Sequence, residues 1–488
     1  MLLRRTERLA IGFLNWDLFI INIKVFVKTK LILSKDYRPR QLANIMLKLA
    51  VMLKNLVDKT ILILGLGREG LATYEFLRHL FPQKMLGLAD QQPKEKLNSD
   101  FQQIIKHDPN IILNLGPKYL ENLDSYNVIV RTPGIPLKPE LLKLKTQGKL
   151  TSQTKIFFDN CTTKIIGVTG TKGKGTTSSL LYHILKLAGL PVFLAGNIGT
   201  PMLPLLEKLD KNDIVVLELS SHQLEDLDKS PHIAILLNIF PEHLDHFKTM
   251  QEYTNAKATI TNYQSANDWL IYNSDDPEVN KIAGKSKAQK IAISLAEAPK
   301  INTPLIGRHN LYNVMAAIEI AKLFNVPYKE ALKTFKPLPH RLEIVGKFQG
   351  IIFINDSQGT NPKATIAALN SFPNITTLIA GGYDRGGVSF EEVGKKIAEY
   401  GIKTLILFPT TGELIWKAVK KYSPTHPPLP THFFVRNMED AVKLAYQHTP
   451  QNTVCLLSPS SASFGIFKDY EDRGNQFKKY VKEYSNLP

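Results

Sequence analysis

Short apolar runs alternate with longer stretches of helical periodicity along most of this chain. Runs such as "TILILGLG", "TTKIIGVTG" and "DIVVLELSS" are typical of buried strands, whereas "GTTSSLLYHILKLAGL" has the spacing of an amphipathic helix. Strands that alternate with helices are typical of sheets whose strands run parallel. The pattern therefore predicts an α/β fold built on parallel sheets.

The chain has 488 residues, more than one hydrophobic core usually serves. The pattern divides into three blocks, and the Pro-punctuated joint "KPLPHRLE" separates the second from the third. We expect domains at 58–152, 153–337 and 338–488, preceded by an extension over residues 1–57.

The extension contains the apolar stretch "LAIGFLNWDLFIINIKVFVKTKLIL", which also carries Asp17 and Lys24. These charges make it a poor membrane span, and no small-residue cleavage site follows it. It is either an amphipathic segment that lies on a surface or a consequence of a start codon assigned too early, with translation beginning near Met46 or Met52.

Composition narrows the class of protein. Two cysteines, Cys161 and Cys455, indicate neither a disulfide framework nor a structural zinc site, which fits a cytoplasmic protein. The net charge of +17 allows nucleic-acid binding, but no dense basic stripe with interleaved aromatic residues is present. We expect phosphorylated small molecules as ligands, and no nucleic acid.

The first block begins with a Gly-rich turn. Gly65, Gly67 and Gly70 follow a strand and open a helix, and Asp90 ends the next apolar run. Such glycines let the backbone approach a diphosphate, while the acidic residue can bind a ribose hydroxyl. The turn alone predicts binding of NAD or FAD, although a UDP-sugar presents the same diphosphate and ribose.

The second block begins with a candidate phosphate-binding loop between a strand and a helix. Its N–H groups, with Gly170 and Gly173, can surround phosphates, and Lys174 offers a positive charge. The glycine spacing differs from the usual pattern. Gly175 stands where a Ser or Thr usually follows the lysine, which moves the hydroxyl to Thr176.

Two further strands of this block end in acidic residues and histidines. Because parallel strands bring their carboxyl ends to one edge, Glu218 and His243 are placed to meet Mg²⁺ on a nucleotide. Histidine is an unusual ligand for Mg²⁺. We expect the neighbouring His246 to be a surface or turn residue.

Together these residues resemble the Mur ligases and the related folylpolyglutamate synthetases. The resemblance rests on four ordered motifs: "TGTKGK" (169–174), "LELSSHQLE" (217–225), "NIFPEHLD" (238–245) and "GRHNLYN" (307–313). It covers residues 58–488. It implies a Rossmann-like UDP-binding domain, a central P-loop ATPase-like domain and a C-terminal Rossmann-like domain.

Within the family, the chain is most similar to the enzymes that add D-glutamate to UDP-N-acetylmuramoyl-L-alanine. This similarity rests on the UDP-type first domain, "RTPGIP" (131–136), "AGNIGTP" (195–201) and "LLSPSSASFGIFKDYEDRGNQF" (456–477). It implies an ADP-forming amide ligase of peptidoglycan precursor synthesis, active in the cytoplasm. We expect ATP, UDP-N-acetylmuramoyl-L-alanine and D-glutamate as substrates, no integral membrane span, and a monomer.

The resemblance implies roles for residues at the ATP site. Lys174, His243 and Lys257 would be catalytic, and Lys257 would be carbamylated. Thr176 and Glu218 would hold one Mg²⁺, with His243 and Lys257 at a second. The implied ATP-binding residues are Gly170, Thr171, Lys172, Gly173, Lys174, Gly175, Thr176, Thr177, Asn310, Arg341 and Asp356.

The resemblance also implies the two other substrate sites. The UDP-substrate residues would be Gly65, Gly67, Arg68, Gly70, Asp90, Gln91, Thr132, Pro133, Gly134, Asn197, Ser220 and Gln223. Thr360, Arg385, Ser463 and Tyr470 would bind the amino acid. Gln358 and Gly359 replace the lysine and alanine of the family's D-S-K-A-T-N motif, and Arg385 replaces a lysine.

Four alternatives remain open. These are a related amide ligase with L-glutamate or another amino acid or acceptor, and a protein that binds ATP and a nucleotide sugar without turnover. The others are a nucleic-acid-dependent ATPase and a dehydrogenase. Glu218, His243 and Lys257 argue against the non-catalytic protein, and the phosphate loop argues against the dehydrogenase.

Overall fold

A computed structural model describes residues 54–298, 302–384, 386–423 and 429–485 of the chain. Most of the predicted extension, residues 1–53, lies outside these ranges. Within them, no helix combines the length and the apolar character needed to cross a bilayer. The described residues form three sheets flanked by helices, which confirms the predicted α/β class.

The first sheet has five parallel strands, all from the predicted first domain. The strands are β1 (Ile61–Leu64), β2 (Leu86–Asp90), β3 (Ile111–Leu115), β4 (Val128–Arg131) and β5 (Leu150–Ser152). They lie in the order β3-β2-β1-β4-β5. Strands β2 and β3 are therefore added on one side of β1, and β4 and β5 on the other. The accompanying helices are α1 (Lys54–Val57), α2 (Arg68–Leu80), α3 (Ser99–His107), α4 (Pro139–Thr146) and α5 (Gln153–Asn160).

The central sheet has six parallel strands in the order β11-β10-β9-β6-β8-β7. They are β6 (Lys164–Thr169), β7 (Val192–Gly196), β8 (Ile214–Glu218), β9 (Ile233–Leu236), β10 (Trp269–Asn273) and β11 (Gln289–Ile293). Its helices are α6 (Lys174–Leu187), α7 (Met202–Leu205), α8 (Ser221–Leu224), α9 (Leu244–Phe247), α10 (Met250–Asn262), α11 (Pro277–Lys285), α12 (His309–Leu323) and α13 (Lys329–Thr334). Strand β6 lies between β8 and β9, so the residues after all three strands meet at one edge.

The third sheet is mixed. Its strands are β12 (Glu343–Phe348), β13 (Ile351–Asn355), β14 (Ile375–Gly381), β15 (Thr404–Phe408), β16 (Thr431–Phe434) and β17 (Val454–Leu457). The order is β12-β13-β17-β14-β15-β16, and β12 pairs antiparallel with β13 through a tight turn at Gln349 and Gly350. Its helices are α14 (Pro362–Leu369), α15 (Glu391–Tyr400), α16 (Thr411–Tyr422), α17 (Met438–His448) and α18 (Tyr470–Tyr484).

The hydrophobic cores join the first two domains but not the third. One continuous cluster runs from the first sheet through Phe157 of α5 to Met202 of α7 and the central strands. The apolar clusters of the third domain draw only on described residues between Leu342 and Tyr484. The first domain is therefore fixed on the central one by burial, whereas the third has a core of its own.

A buried ion-pair network also joins the first two domains. Arg131, the last residue of β4, has no solvent-exposed surface and donates from Nε to Asp226 Oδ2 at 2.8 Å. Its Nη2 donates to Glu225 Oε2 at 3.0 Å, and its Nη1 donates to the Ile135 carbonyl. A charge buried this completely is stable only while its partners remain in place.

We therefore expect Arg131→Met to destabilise the protein by about 3 to 5 kcal/mol, because it removes the buried cation that pairs with Asp226 and leaves only the partly exposed Lys145, at 3.5 Å, near this carboxylate among the described residues. Thermal unfolding should show this as a clear fall in melting temperature. The double variant Arg131→Met with Asp226→Leu should regain much of the loss. Lys118→Met, which removes an exposed ion pair with Glu121, should have almost no effect. A double variant less stable than the single one would contradict this account.

Candidate functional site

The phosphate loop connects β6 to α6 and ends in a left-handed residue. Gly173 precedes the helix with φ of 94°, a conformation that other residues rarely adopt. A Cβ atom at this position would lie 2.4 Å from Asn313 Oδ1, so only glycine fits. The N–H groups at the start of α6 consequently face an open cleft, as an anion site requires.

Asn238, which follows β9, fixes the course of this loop. Its Oδ1 accepts from the Lys172 N–H at 2.8 Å, and its Nδ2 donates to the Lys172 carbonyl at 2.9 Å. The Thr171 N–H donates to the Asn238 carbonyl at 2.8 Å. The sequence analysis included Asn238 only as the first residue of the "NIFPEHLD" motif and missed this role.

Two lysine side chains donate to carbonyl groups of the loop: Lys174, which is half-buried, and Lys257, which is buried. Lys174 Nζ donates to the carbonyls of Gly170 at 2.9 Å and Thr171 at 3.1 Å. Lys257 Nζ donates to the same Gly170 carbonyl at 3.0 Å and lies 4.8 Å from the ring centre of Tyr253. Burial lowers the pKa of both amines, that of Lys257 well below its ordinary value.

Glu218 has the features of a ligand for a hard cation. The side chain is buried at the end of β8, where Oε1 accepts from Asn197 Nδ2 at 3.0 Å. Its Oε2 is buried without a hydrogen-bond partner among the described residues. A carboxylate oxygen left in this state beside a helix N-terminus fits Mg²⁺, which prefers oxygen ligands.

The unusual Gly175 is explained by this carboxylate. A Cβ atom at position 175 would lie 3.0 Å from Glu218 Oε2 and 3.3 Å from Arg341 Nη2. Glycine therefore allows both charged groups to approach the first turn of α6. The hydroxyl group that usually occupies this position is found one residue on, at the buried Thr176, which lines the cleft.

Three histidines form a packed cluster beside the loop. The ring centre of His222 lies 4.8 Å from that of His243 and 4.4 Å from that of His246. Burial lowers the pKa of His243 to about 4, so its imidazole is neutral at neutral pH and could bind a metal ion. The expectation that His246 is a surface or turn residue is wrong. Its side chain is 9% exposed, and Nε2 lies 3.3 Å from Glu225 Oε2.

A cleft of about 300 Å³ separates the central domain from the third domain. Of the predicted ATP-binding residues, those that line it are Lys172, Gly173, Thr176, Asn310, Arg341 and Asp356. Lys174 is not among the lining residues. Among the other residues that line the cleft, polar side chains that were not predicted to bind ATP include those of Asn238, Asn273, His309, Tyr312, Asn313 and Lys363. Asn313 belongs to the same "GRHNLYN" motif as Asn310, so a signal for it was present.

The third domain contributes charged side chains to this cleft. Asp356 Oδ2 accepts from Ser458 Oγ at 2.8 Å, and burial raises the pKa of Asp356 to about 7. Arg341 brings its guanidinium to the start of α6, and its Nε is buried without a hydrogen-bond partner among the described residues. The cleft therefore draws its charges from two domains.

A second cavity, of about 320 Å³, lies on the Gly-rich turn of the first domain. The predicted UDP-substrate residues that line it are Gly65, Gly67, Arg68, Asp90, Thr132, Pro133 and Gly134. Gly70 lies beneath the cavity, where a Cβ atom would be 2.1 Å from the Gly65 carbonyl oxygen. Gln91 is exposed and does not line the cavity. Asp90 accepts from the Leu66 N–H at 2.7 Å, so its carboxylate shapes the turn.

The remaining predicted UDP-substrate residues lie on the central domain, where they meet the first. Arg68 Nη2 donates to the Asn197 carbonyl at 3.0 Å, and Asn197 in turn donates to Glu218. Gln223 Nε2 donates to Glu69 Oε1 at 2.7 Å, and Ser220 caps α8 together with Gln223. Asn197 therefore connects the first-domain cavity to the buried carboxylate of Glu218.

The predicted amino-acid residues lie in the third domain. Thr360 precedes α14, Ser463 is buried in the loop after β17, and Tyr470 begins α18. Arg385 lies outside the described residues. Sequence reasoning missed Arg473, which is buried and donates to Ser357 Oγ at 3.0 Å and to the Ser461 carbonyl at 3.1 Å. Arg473 thereby connects the loops that follow β13 and β17.

Comparison with known proteins gives matches over most of the chain. Residues 168–300 match the family described as Mur ligase middle domain, and residues 340–461 match that described as Mur ligase, glutamate ligase domain. The UDP-N-acetylmuramoylalanine--D-glutamate ligase of Acetivibrio thermocellus is 36% identical over 463 residues, which is 88% of this chain and 97% of the relative. The enzyme of the same name from Clostridium tetani is 34% identical over 454 residues, 88% of this chain and 98% of the relative.

Solved structures share the fold. MurF from Acinetobacter baumannii superposes with a TM-score of 0.59 at 16% identity, over 90% of this chain and 98% of that one. MurF ligase from Thermotoga maritima in complex with ADP gives a TM-score of 0.56 at 17% identity, over 87% of this chain and 95% of that one. At these identities the similarity establishes the fold alone.

The raised pKa of Asp356 predicts a pH dependence of stability. In the folded protein, Asp356 keeps its proton up to about pH 7, whereas an aspartate in the unfolded chain releases it near pH 4. The raised pKa therefore contributes to the free energy of unfolding, and this contribution is complete below about pH 4. It is lost as the pH rises through about 7. The parent's melting temperature should therefore fall between about pH 4 and pH 8 relative to that of Asp356→Asn.

Asp100→Asn, at an exposed position, is the matched control and should follow the parent across the same range. Parallel melting profiles for the parent and Asp356→Asn would contradict the assignment of a raised pKa to this carboxyl group.

Proposed function

Because this chain belongs to the Mur ligase family, we propose that it joins D-glutamate to UDP-N-acetylmuramoyl-L-alanine in an ATP-dependent, ADP-forming reaction of peptidoglycan precursor synthesis. The observation that carries the proposal is the position of Glu218. Its carboxylate lies at the start of the phosphate helix and is connected through Asn197 to Arg68 in the first-domain cavity. A nucleotide and a UDP-linked carboxylate could therefore meet at this residue.

The chemistry requires an activated carboxyl group. A carboxylate repels nucleophiles and has no adequate leaving group, so ATP would phosphorylate it to an acyl phosphate. The amine of the amino acid then attacks, and phosphate leaves. Both steps build charge on oxygen, which the loop N–H groups, Lys174 and Arg341 would stabilise in a cleft shielded from water.

We propose that two Mg²⁺ ions bind here, one at Thr176 and Glu218 and one at His243 and a carbamylated Lys257. The unpartnered oxygen of Glu218 and the neutral imidazole of His243 suit these roles. Bound Mg²⁺ would neutralise charge on the phosphate oxygens. The protein's own contribution is to fix Glu218 through Asn197 and to pack His243 against His222.

The surroundings of Lys257 favour carbamylation. Only an uncharged amine reacts with carbon dioxide, and burial keeps the pKa of this lysine well below its ordinary value. The carbamate would be an anion near Lys174 and Lys172, whose positive charges would stabilise it. Its nitrogen would keep one hydrogen and could still donate to the Gly170 carbonyl, the partner in this structure.

We assign the UDP-linked substrate to the first-domain cavity and the amino acid to the third domain. The diphosphate would lie on Gly65, Gly67 and the N-terminus of α2, and the D-glutamate near Thr360, Ser463 and Tyr470, with Arg385 toward its side-chain carboxylate. We place the reaction in the cytoplasm and expect a monomer. The second candidate is the same ligation with L-glutamate or another amino acid, which the substitutions Gln358 and Arg385 favour.

Phosphate release from Mg²⁺-ATP and UDP-N-acetylmuramoyl-L-alanine tests the proposed substrate. We expect release with D-glutamate and none above background with L-glutamate or without an amino acid. Release with L-glutamate alone would keep the mechanism and replace the substrate. Release independent of any amino acid would contradict the ligase assignment.

The carbamate is tested by chemical rescue. We expect Lys257→Ala to lose most phosphate release and to regain part of it when formate or acetate is added, because a short carboxylate can occupy the carbamate position. The same acids should leave the unsubstituted protein unchanged. Full activity of Lys257→Ala without added acid would show that no carbamate is needed.

A further inference from the structure

The cavity on the Gly-rich turn of the first domain is lined by two carboxylates, those of Asp90 and Glu69. Glu69 is the second residue of α2, so its side chain starts where the diphosphate of a nucleotide would bind. An acidic side chain is unexpected there, because it repels a diphosphate. The diphosphate therefore gives no reason for a glutamate at this position.

One oxygen of Glu69 makes a contact between two domains. Its Oε1 accepts from Gln223 Nε2, in the central domain, at 2.7 Å. The orientation of the Gln223 amide is fixed, because its own oxygen accepts from the Ser220 N–H at 3.0 Å. The amide nitrogen is therefore the atom that faces Glu69, and it leaves the second carboxylate oxygen unused.

That second oxygen, Glu69 Oε2, is buried without a hydrogen-bond partner among the described residues. Burial raises the pKa of Glu69, although the charges of Arg68 and Arg131 oppose the shift. A buried acceptor without a donor is unfavourable. The dipole of α2 does not account for it, because an exposed carboxylate in the first turn would serve a helix equally well. Oε2 therefore has the features of an acceptor for a donor on a ligand.

We propose that Glu69 accepts a hydrogen bond from a hydroxyl group or an amide N–H of the N-acetylmuramoyl-L-alanine part of the substrate, and so determines which nucleotide sugar is bound. This rests on the proposed function, which supplies the substrate. The diphosphate cannot be the partner, because its ionised oxygens donate no hydrogen bond. No covalent bond is formed or broken in this contact.

The position of Glu69 favours the sugar over the ribose. Asp90, at the end of β2, is the acidic residue expected to bind the ribose. Glu69 instead contacts Gln223 of the central domain, and its neighbour Arg68 contacts the Asn197 carbonyl of that domain. The substrate has to extend from the turn toward the central domain for its carboxyl group to reach the ATP cleft. The sugar follows the diphosphate in that direction.

A carboxylate acceptor beside a diphosphate would make the site selective. A nucleotide that lacks the donor leaves the Glu69 charge unpaired and close to its own phosphates, so it binds against both effects. A nucleotide sugar that brings the donor relieves the first of them. A site built around a buried acceptor discriminates strongly against analogues that lack the matching donor.

Nucleotide-sugar binding without ATP or an amino acid tests the role of Glu69. The ligands for isothermal titration are UDP, UDP-glucose, UDP-N-acetylglucosamine and UDP-N-acetylmuramoyl-L-alanine. Glu69→Gln keeps an oxygen for Gln223 and places an NH₂ donor where Oε2 was. We expect it to weaken binding of UDP-N-acetylmuramoyl-L-alanine by about 10- to 100-fold and to change binding of UDP by less than about threefold.

Glu75→Gln is the matched control, because it removes the charge of an exposed glutamate from the same helix. It should bind all of these ligands as the unsubstituted protein does. The other two ligands identify the donor. Weakening that begins with UDP-glucose assigns a sugar hydroxyl, and weakening that begins with UDP-N-acetylglucosamine assigns the acetamido N–H. Weakening confined to the complete substrate assigns a group of its lactyl-alanine part.

Equal weakening of UDP and UDP-N-acetylmuramoyl-L-alanine by Glu69→Gln, or no weakening of either, would overturn the inference. If the unsubstituted protein binds the complete substrate, either result leaves the proposed function standing. If it binds none of the ligands, the proposed function falls and the inference with it.

Thermal melting separates recognition of the substrate from a purely structural role of Glu69. The melting temperature of Glu69→Gln should not fall, because the contact with Gln223 remains and a buried charge is removed. Glu69→Met, which accepts from neither donor, should show the same selective loss of binding and serves as the second variant. A lower melting temperature together with an equal loss of all ligands would show that Glu69 only holds the two domains together.

Discussion

The carbonyl oxygen of Gly170 accepts hydrogen bonds from two lysine amines, and the chemistry of the site follows from this crowding. Burial lowers the pKa of both amines, and the charge of Lys174 lowers that of Lys257 further. A lowered pKa makes it easier for Lys257 to lose its proton, and the uncharged amine is a nucleophile in a buried site. At the same time, both amines fix the loop, so the loop can present its N–H groups to a phosphate.

Polar residues from all three domains converge around this loop. The first domain reaches Glu218 through Arg68 and Asn197, and the third supplies Arg341, Asp356 and Asn361. Gly175 leaves room for the carboxylate of Glu218 from its own domain and for the guanidinium of Arg341 from the third domain. The departure from the usual phosphate-loop sequence is thus an adjustment to these neighbours.

Local patterns in the sequence predicted the strands and helices around the site and the order in which its motifs follow along the chain. The strand–loop–helix around Lys174 and the strand ends at Glu218 and His243 depend on neighbours along the chain, so they could be inferred. Asn238 could not, because its partner Lys172 lies 66 residues away. His246 was misjudged for the same reason, since Glu225 buries it from another helix. The prediction of parallel sheets did not foresee the antiparallel strand β12, whose turn into β13 has Gln349 at a positive φ, where Gln is uncommon.

The separate core of the third domain bears on how such ligases diversify. A domain that buries its own apolar residues can be exchanged between proteins without opening the cores of the other two. Its described contacts with the rest of the chain include polar groups at the cleft, such as Asn361 with Glu242. With the amino acid bound in the third domain as proposed, its choice could be inherited with that domain while the residues that activate the carboxylate stay the same.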